Sequence, residues 1–238
     1  LATVGTLFGV ATSLGLGAMQ INAGISRIAA IPESTSVQVA IIAVITLVAT
    51  ISVVSGVQHG IRLLSKLNVS LAALLLLFVL VAGPTVYILQ VLISSIGAYV
   101  QQLAGTSLWL DLRPDSAWQA DWTLFYWSWW ISWSPFVGVF VARISRGRTI
   151  REFIIAVLLV PVLATFVWLA VFGGAALHAE ITRGAELTQL VQQNASAGLH
   201  AMLERLPLSS ITSVLATLMV VVFFVTSSDS GSLVDDMV

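Results

Sequence analysis

Tryptophan is concentrated in one charge-free stretch, residues 122–142, which carries five of the eight tryptophans of the chain. Trp129, Trp130 and Trp133 recur there at helical spacing and lie near the middle of the stretch. The same face takes in further aromatic rings, at Tyr126, Phe136 and Phe140. Indole faces attract a cation by about 0.5 to 2 kcal/mol each when water is excluded. A metal ion or a phosphate would need oxygens, imidazoles or positive charge, so this face is better suited to a quaternary ammonium group.

The length of this stretch places its central tryptophans deep in a membrane. A helix over 122–142 would be about 31 Å long, which matches the hydrocarbon core of a bilayer. Trp122 can belong to an interfacial aromatic belt, but the central tryptophans are too deep for that. Pro135 removes a backbone donor and frees the carbonyl of Ile131, and such backbone is tolerated only when it is buried or lines a cavity. We therefore expect a cavity beside these indoles, with plain aromatic packing as the alternative.

The overall composition excludes several classes of protein. Apolar residues make up 58% of the chain and charged residues only 9%, which indicates an integral membrane protein. The net charge of -1 gives no basic signature for nucleic acid, and the absence of cysteine excludes disulfides and thiolate chemistry. No His, Asp or Glu lies in the middle of any charge-poor stretch, which disfavours an intramembrane hydrolase. His59, His178 and His200 fall in connectors, and we assign them no chemistry.

The charge-poor stretches predict an all-α, polytopic membrane protein with six spans. They lie at 3–24, 37–57, 68–92, 122–142, 152–177 and 210–228. Two connectors have amphipathic helical patterns, which predict an interfacial helix at 93–104 and an external amphipathic segment at 185–206. In the first span Gly5 and Gly9 form a G-x-x-x-G pattern, which predicts close approach of a neighbouring helix.

Basic residues predict which connectors face the cytoplasm. The connectors 58–67 and 143–151 hold six of the ten basic residues of the chain. These are Arg62, Lys66, Arg143, Arg146, Arg148 and Arg151. By the positive-inside tendency both connectors are cytoplasmic, in a multi-pass protein of the cell membrane. The two ends of the chain, "LATVGTLFGV" without a Met and "FFVTSSDSGSLVDDMV" directly after a polar interruption, indicate an internal fragment.

Four motifs resemble one family in the same order along the chain. They are "ATSLGLGAMQINAG", "VAGPTVYIL", "FYWSWWISWSPFVGVFVARISRGRTIREF" and "FFVTSSDSGSLV". Together they closely resemble segments of the betaine/choline/carnitine transporter family, and the resemblance covers nearly the whole chain. It implies part of a LeuT-like fold, in which ten of about twelve spans form two inverted repeats of five helices. The chain then corresponds to the fifth to tenth spans.

The resemblance also implies a function and a set of binding residues. Family members are secondary transporters of trimethylammonium compounds such as glycine betaine, choline or carnitine, and Trp129, Trp130 and Trp133 match their aromatic substrate box. Phe223, Thr226 and Ser227 match one sodium site, and Thr6 and Phe136 match another. Sodium-coupled members carry a second threonine one turn after Thr6, where this chain has Val10, so this second site lacks a ligand.

The resemblance also implies several properties that cannot be assigned to particular residues. The coupling ion is sodium or a proton, the substrate reaches its site by alternating access, and the family commonly forms homotrimers. No cofactor is implied other than a sodium ion. The alternative from the residues is a structural or accessory membrane subunit whose tryptophans only pack, in which case betaine would not change the tryptophan emission.

Overall fold

The computed structural model describes the backbone of residues 2–54, 58–184 and 186–235. Side chains are described over 3–51, 63–143, 145–182, 184 and 186–228, so the sequence interpretations of His59 and Arg62 lie outside the described side chains. Every regular element of the described residues is helical. The α-helices are α1 (Ala2–Ala29), α2 (Thr35–Val54), α3 (Gln58–Ala82), α4 (Thr85–Ser107), α5 (Phe125–Ile144), α6 (Ile150–Ile154), α7 (Val160–Arg183), α8 (Leu187–Gln193), α9 (Gly198–Leu203) and α10 (Ser209–Asp235).

Five helical segments of the described residues are long and apolar enough to cross a membrane. They are Thr3–Ala29, Leu63–Ala82, Thr85–Ser107, Ile150–Thr182 and Ser209–Ser228, and Thr35–Ile51 is a shorter apolar helix. The tryptophan-rich α5 is not among them, because indole and serine side chains lower its mean hydropathy. The five segments therefore do not match the six predicted spans one to one. The predicted span 122–142 is nevertheless helical, because α5 has 20 residues and directly follows a π-helical turn over Gln119–Leu124.

The predicted span 68–92 is interrupted in the structure, so this boundary prediction was wrong. α3 ends at Ala82 and α4 begins at Thr85, with Gly83 and Pro84 between them. Pro84 has no backbone donor and clashes with the preceding turn, so the helix cannot continue through it. A side chain at position 83 would lie 2.5 Å from the carbonyl oxygen of Val79, which explains the glycine. The predicted interfacial helix 93–104 is the second half of α4.

The α4 helix runs antiparallel along α7. Tyr87 contacts His178 edge to face, with ring centroids 5.1 Å apart, and Tyr99 contacts Phe166 in the same way at 5.4 Å. The later residue of α4, Tyr99, thus contacts the earlier residue of α7, Phe166, as expected for two antiparallel helices. α4 therefore packs along a membrane-spanning helix, an arrangement that the predicted interfacial helix did not include.

The α1 helix lies at the centre of the described bundle, against α10, α5 and α2. Glycines allow these close approaches. A Cβ at Gly9 would lie 3.0 Å from the ring of Trp133 in α5, and one at Gly17 would lie 1.7 Å from the ring of Phe224 in α10. The packing role predicted for the G-x-x-x-G pattern is therefore confirmed for its second glycine, where the backbone itself contacts the tryptophan-rich helix.

The segment 185–206, predicted to be external and amphipathic, is described from residue 186 and is broken into short helices rather than continuous. Its elements are α8, a 3-10 turn at Ala195–Ala197, and α9. Asn194 ends α8 with extended backbone, and its side-chain oxygen accepts a hydrogen bond from the backbone N–H of Ser196. Asparagine offers the backbone this local alternative to a helix, so the amphipathic pattern is interrupted there. The apolar residues Leu187, Met202 and Leu203 are buried, in agreement with the pattern.

Candidate functional site

Pro135 lies inside α5 without ending it, because the neighbouring serine compensates for the lost backbone hydrogen bond. The hydroxyl of Ser134 donates to the carbonyl oxygen of Ile131 at 2.8 Å. This carbonyl is the one that a proline at position 135 leaves without its helical donor. The cavity expected beside the indoles is present, but Ile131 and Pro135 line neither cavity described below, so the freed carbonyl is not the reason for it.

The indole N–H groups of two central tryptophans are directed at α1. Trp133 donates to the carbonyl oxygen of Gly9 at 3.0 Å and to the hydroxyl of Ser13 at 3.1 Å. Trp129 donates to the same hydroxyl at 3.3 Å. The hydroxyl of Ser13 in turn donates to the carbonyl oxygen of Gly9 at 3.0 Å. α1 and α5 are thus joined by a small network of hydrogen bonds at the level of the tryptophans.

A cavity of about 530 Å³ lies between α1, α5 and α10. All three predicted box residues line it, together with residues that carry no charge. The complete lining is Val10, Ser13, Leu14, Tyr126, Trp129, Trp130, Trp133, Val137, Phe223, Phe224, Ser227 and Ser228. Trp130 is 71% exposed, so much of its ring surface remains open. The size and the apolar, aromatic lining are typical of pockets for small organic molecules.

A smaller cavity of about 210 Å³ adjoins the first. It is lined by Ser65, Trp133, Phe136, Phe140, Thr226 and Ser227. Trp133 and Ser227 line both cavities, and the ring of Trp133 meets that of Phe136 edge to face at 4.7 Å. The hydroxyl of Thr226 donates to the carbonyl oxygens of Val222 at 3.1 Å and Phe223 at 2.9 Å, so its lone pairs are directed away from those carbonyls.

The structure groups only some of the predicted cation-binding residues. Thr226, Ser227 and Phe136 line the smaller cavity, whereas Phe223 is 57% exposed and lines the larger one. Thr6 is buried in α1 and is not among the lining residues of either cavity. Among the residues that the structure describes, no group of three or more His, Cys, Asp or Glu side chains could hold a metal ion.

Sequence reasoning missed the residues that other helices contribute to the larger cavity. Ser13, Phe224 and Ser228 line it but were not predicted. The sequence gives a weak indication of Ser13, because a residue four positions after Gly9 lies on the same helix face, where the glycine allows another helix to come close. The sequence places Tyr126 on the aromatic face, and the centroid of its ring lies 6.0 Å from that of Trp129.

Comparison with known proteins shows similarity to transporters over all or nearly all of the chain. The family model described as BCCT, betaine/carnitine/choline family transporter, matches residues 1–238. An uncharacterised transporter of Mycobacterium tuberculosis is 52% identical over the whole chain, which covers 40% of that relative. The ectoine/glycine betaine/proline transporter of Corynebacterium glutamicum is 47% identical over the whole chain, with 39% of its length covered. The high-affinity choline transport protein of Escherichia coli is 46% identical over 98% of the chain, with 35% covered. The chain thus spans about two fifths of the length of these relatives.

Proposed function

The chain belongs to the betaine/carnitine/choline family of transporters, and from this premise we propose that it is part of a secondary active transporter of a trimethylammonium compound. Relatives named for the transport of glycine betaine and of choline support this substrate class. The uncharged cavity of about 530 Å³ with three indoles in its wall is the observation that carries the proposal. A methylated ammonium group has no N–H to satisfy, so an apolar aromatic wall without charged acceptors is suited to it.

The substrate ammonium contacts the faces of Trp129, Trp130 and Trp133 in this proposal. Each desolvated indole contributes about 0.5 to 2 kcal/mol, so the three together contribute about 1.5 to 6 kcal/mol, which at its upper end exceeds the about 4 kcal/mol of millimolar binding but falls short of the about 8 kcal/mol of micromolar binding. The open surface of Trp130 leaves room for groups from outside the chain to complete the box. An accessory subunit whose tryptophans only pack would not need a cavity of this size beside them.

Coupling to sodium at the smaller cavity is the second part of the proposal. Hydroxyl and carbonyl oxygens at Thr226 and Ser227 suit a small hard cation, and Ser227 lines both cavities. An ion there would therefore lie next to the substrate site and favour its binding-competent state. A site formed by Thr6 and Phe136 is less well supported, because Val10 offers no oxygen and Thr6 lines neither cavity. A proton is the alternative coupling ion.

The proposed protein resides in the plasma membrane and works by alternating access, with 58–67 and 143–151 on the cytoplasmic side. This sidedness requires an even number of crossings between the two connectors. In the proposal α3 and α5 cross the membrane, and α4 does not, although its length and composition would allow it. Since the chain has no cysteine, single cysteines at Lys66 and Ser145, which line neither cavity, test it. Labelling of the two from opposite sides of intact cells would contradict the assignment.

Uptake of labelled glycine betaine and choline into vesicles that contain the full-length parent protein tests the function. We expect saturable uptake that is driven by an inward sodium gradient, and a rise in KM of about two- to thirtyfold in Trp133→Leu, from the loss of one indole face. Trp109→Leu is the control, because this ring packs on Trp118 in a connector away from both cavities. Uptake that is independent of both the sodium and the proton gradient would exclude ion coupling. A normal KM in Trp133→Leu would exclude substrate binding by the aromatic box.

A further inference from the structure

We propose that Ser13 is a positioning residue for the substrate box, because its single hydroxyl fixes the orientation of two of the three indoles. This inference rests on the function proposed above. Ser13 lies on α1, whereas Trp129 and Trp133 lie on α5, so the hydroxyl acts across the interface between the two helices. Its role is to hold the rings in place, with the ring surfaces left to contact the substrate.

The hydrogen-bonding capacity of Ser13 is fully used in this arrangement. A serine hydroxyl has one donor and two acceptor lone pairs. The donor is directed at the carbonyl oxygen of Gly9 at 3.0 Å, and the lone pairs accept the indole N–H groups of Trp129 at 3.3 Å and Trp133 at 3.1 Å. A hydroxyl with three partners has a defined orientation, and both rings are therefore tied to the same atom.

The consequence for the box concerns which part of each indole remains available. The N–H edge of both rings is occupied by α1, so the cavity receives carbon surface from these rings and no indole donor. Carbon surface attracts the methylated ammonium of the substrate, whereas an unpartnered indole N–H in an apolar wall would be costly. Ser13 thus favours ligands that bind through a cation over ligands that need hydrogen-bond donors from the box.

Gly9 provides the space that this arrangement needs. A Cβ at this position would lie 3.0 Å from Cδ1 and 3.2 Å from Nε1 of Trp133, closer than ordinary van der Waals contact. The absence of a side chain allows the indole N–H to reach the backbone carbonyl oxygen of Gly9 at 3.0 Å. Gly9 and Ser13 are one helical turn apart, so one stretch of α1 supplies every partner of the two indole N–H groups that the structure describes.

A routine helical serine is the alternative explanation, and α1 contains its own control. The hydroxyl of Thr12 also donates to a carbonyl four residues earlier, that of Phe8, at 2.9 Å. Thr12 does not line either cavity and accepts no indole hydrogen bond in the described structure. If Ser13 mattered only for its bond within the helix, removal of the Thr12 hydroxyl would have a similar effect.

Transport kinetics of the full-length parent protein test the proposal with labelled glycine betaine and choline as probes. In Ser13→Ala we expect KM to rise about five- to tenfold at an unchanged maximal rate, because Trp129 loses its described acceptor whereas Trp133 keeps the carbonyl oxygen of Gly9, a net loss of about one ordinary hydrogen bond. Ser13→Thr keeps the hydroxyl and should restore KM, and Thr12→Ala should behave as the wild type. Ultraviolet resonance Raman spectra should show weaker indole N–H hydrogen bonding in Ser13→Ala only.

Three outcomes would overturn the proposal. They are a normal KM in Ser13→Ala, a KM in Ser13→Thr as high as in Ser13→Ala, and an equal rise in Thr12→Ala. Should Ser13→Ala fail to fold, Ser13→Cys keeps the volume with a weaker acceptor and should show an intermediate KM, whereas wild-type KM there would count against the proposal. A wild-type protein that takes up neither probe, or a Trp133→Leu variant with normal uptake, would instead overturn the proposed function.

Discussion

At the scale of single residues, Trp133 and Ser227 connect the two cavities of the structure. Both line the cavity of about 530 Å³ and the cavity of about 210 Å³. Trp133 is held from two sides, by its hydrogen bonds to α1 and by the ring of Phe136. In the proposed function, the substrate and the ion would therefore both contact these two side chains. Binding in one cavity would then affect the geometry of the other. Thr226 contributes only to the smaller cavity and so separates the two roles.

Replacing Thr226 with valine should weaken the coupling ion more than the substrate. The change removes one hydroxyl ligand while keeping the shape, and we expect the sodium concentration for half-maximal uptake to rise about tenfold, or about 1.4 kcal/mol. Uptake of labelled betaine at a series of sodium concentrations measures it. Thr212→Val is the matched control, since this hydroxyl also donates to a carbonyl oxygen four residues earlier, that of Leu208 just before α10, and lines neither cavity. Equal sodium dependence in the two variants would contradict the proposed site.

At the scale of the elements, α1 is positioned by the glycines on its surface. Gly17 packs against the ring of Phe224 in α10, and Gly9 against Trp133 in α5. Lipid provides no hydrophobic drive for helix association, so such close backbone contacts supply much of the packing energy. The sequence predicted this close approach from the glycine pattern but could not identify the partners. Helix partners depend on which faces meet, and no local pattern in α1 specifies residues of α5 or α10.

Substitution of Gly17 with alanine should loosen the contact between α1 and α10. The new Cβ would lie 1.7 Å from the ring of Phe224, so the ring or the helices must move. We expect a loss of about 1–3 kcal/mol of stability, the usual cost of overpacking a core. Gly15→Ala on the same helix is the control, because no atom lies within 4 Å of its Cβ position. Thermal unfolding in detergent compares the two, and equal midpoints would argue against the described packing.

At the scale of the whole molecule, the external segment is tied to the ends of the bundle helices. Arg27 at the end of α1 forms an ion pair with Glu204, and Asn194 donates to the carboxylate of Glu33 at 2.8 Å. His200, in α9 of this segment, is buried, and its Nδ1 lacks a hydrogen-bond partner in the described structure. From the sequence His200 lies in a connector and has no assigned chemistry, whereas its burial results from the contacts of α9 with α1, α7 and α10.

Stability should depend on pH through His200. Burial, and secondarily the charge of Arg27, lower the pKa of this imidazole below its usual 6.5, against a smaller opposing effect of Glu204. The unfolded chain then binds more protons than the folded one, so stability is greatest above about pH 6.5 and falls as the pH decreases through the lowered pKa. Thermal unfolding between pH 7.5 and about pH 5 measures it. His200→Gln should flatten this dependence, and an unchanged slope in that variant would assign the effect to other groups.

The sequence by itself determined the membrane class, the helical fold and the aromatic stripe, because these depend on composition and on periodicity along one helix. The break between α3 and α4 could also have been predicted from the sequence, because Gly83 and Pro84 interrupt the helix locally, but the predicted span 68–92 did not include it. The tertiary structure decided which helices face the tryptophans, that Ser13 and Gly9 hold Trp129 and Trp133, and that Thr226 and Ser227 lie beside Phe136. Those contacts join residues far apart in the chain, and their energies arise only when helix faces meet, so no local pattern encodes them.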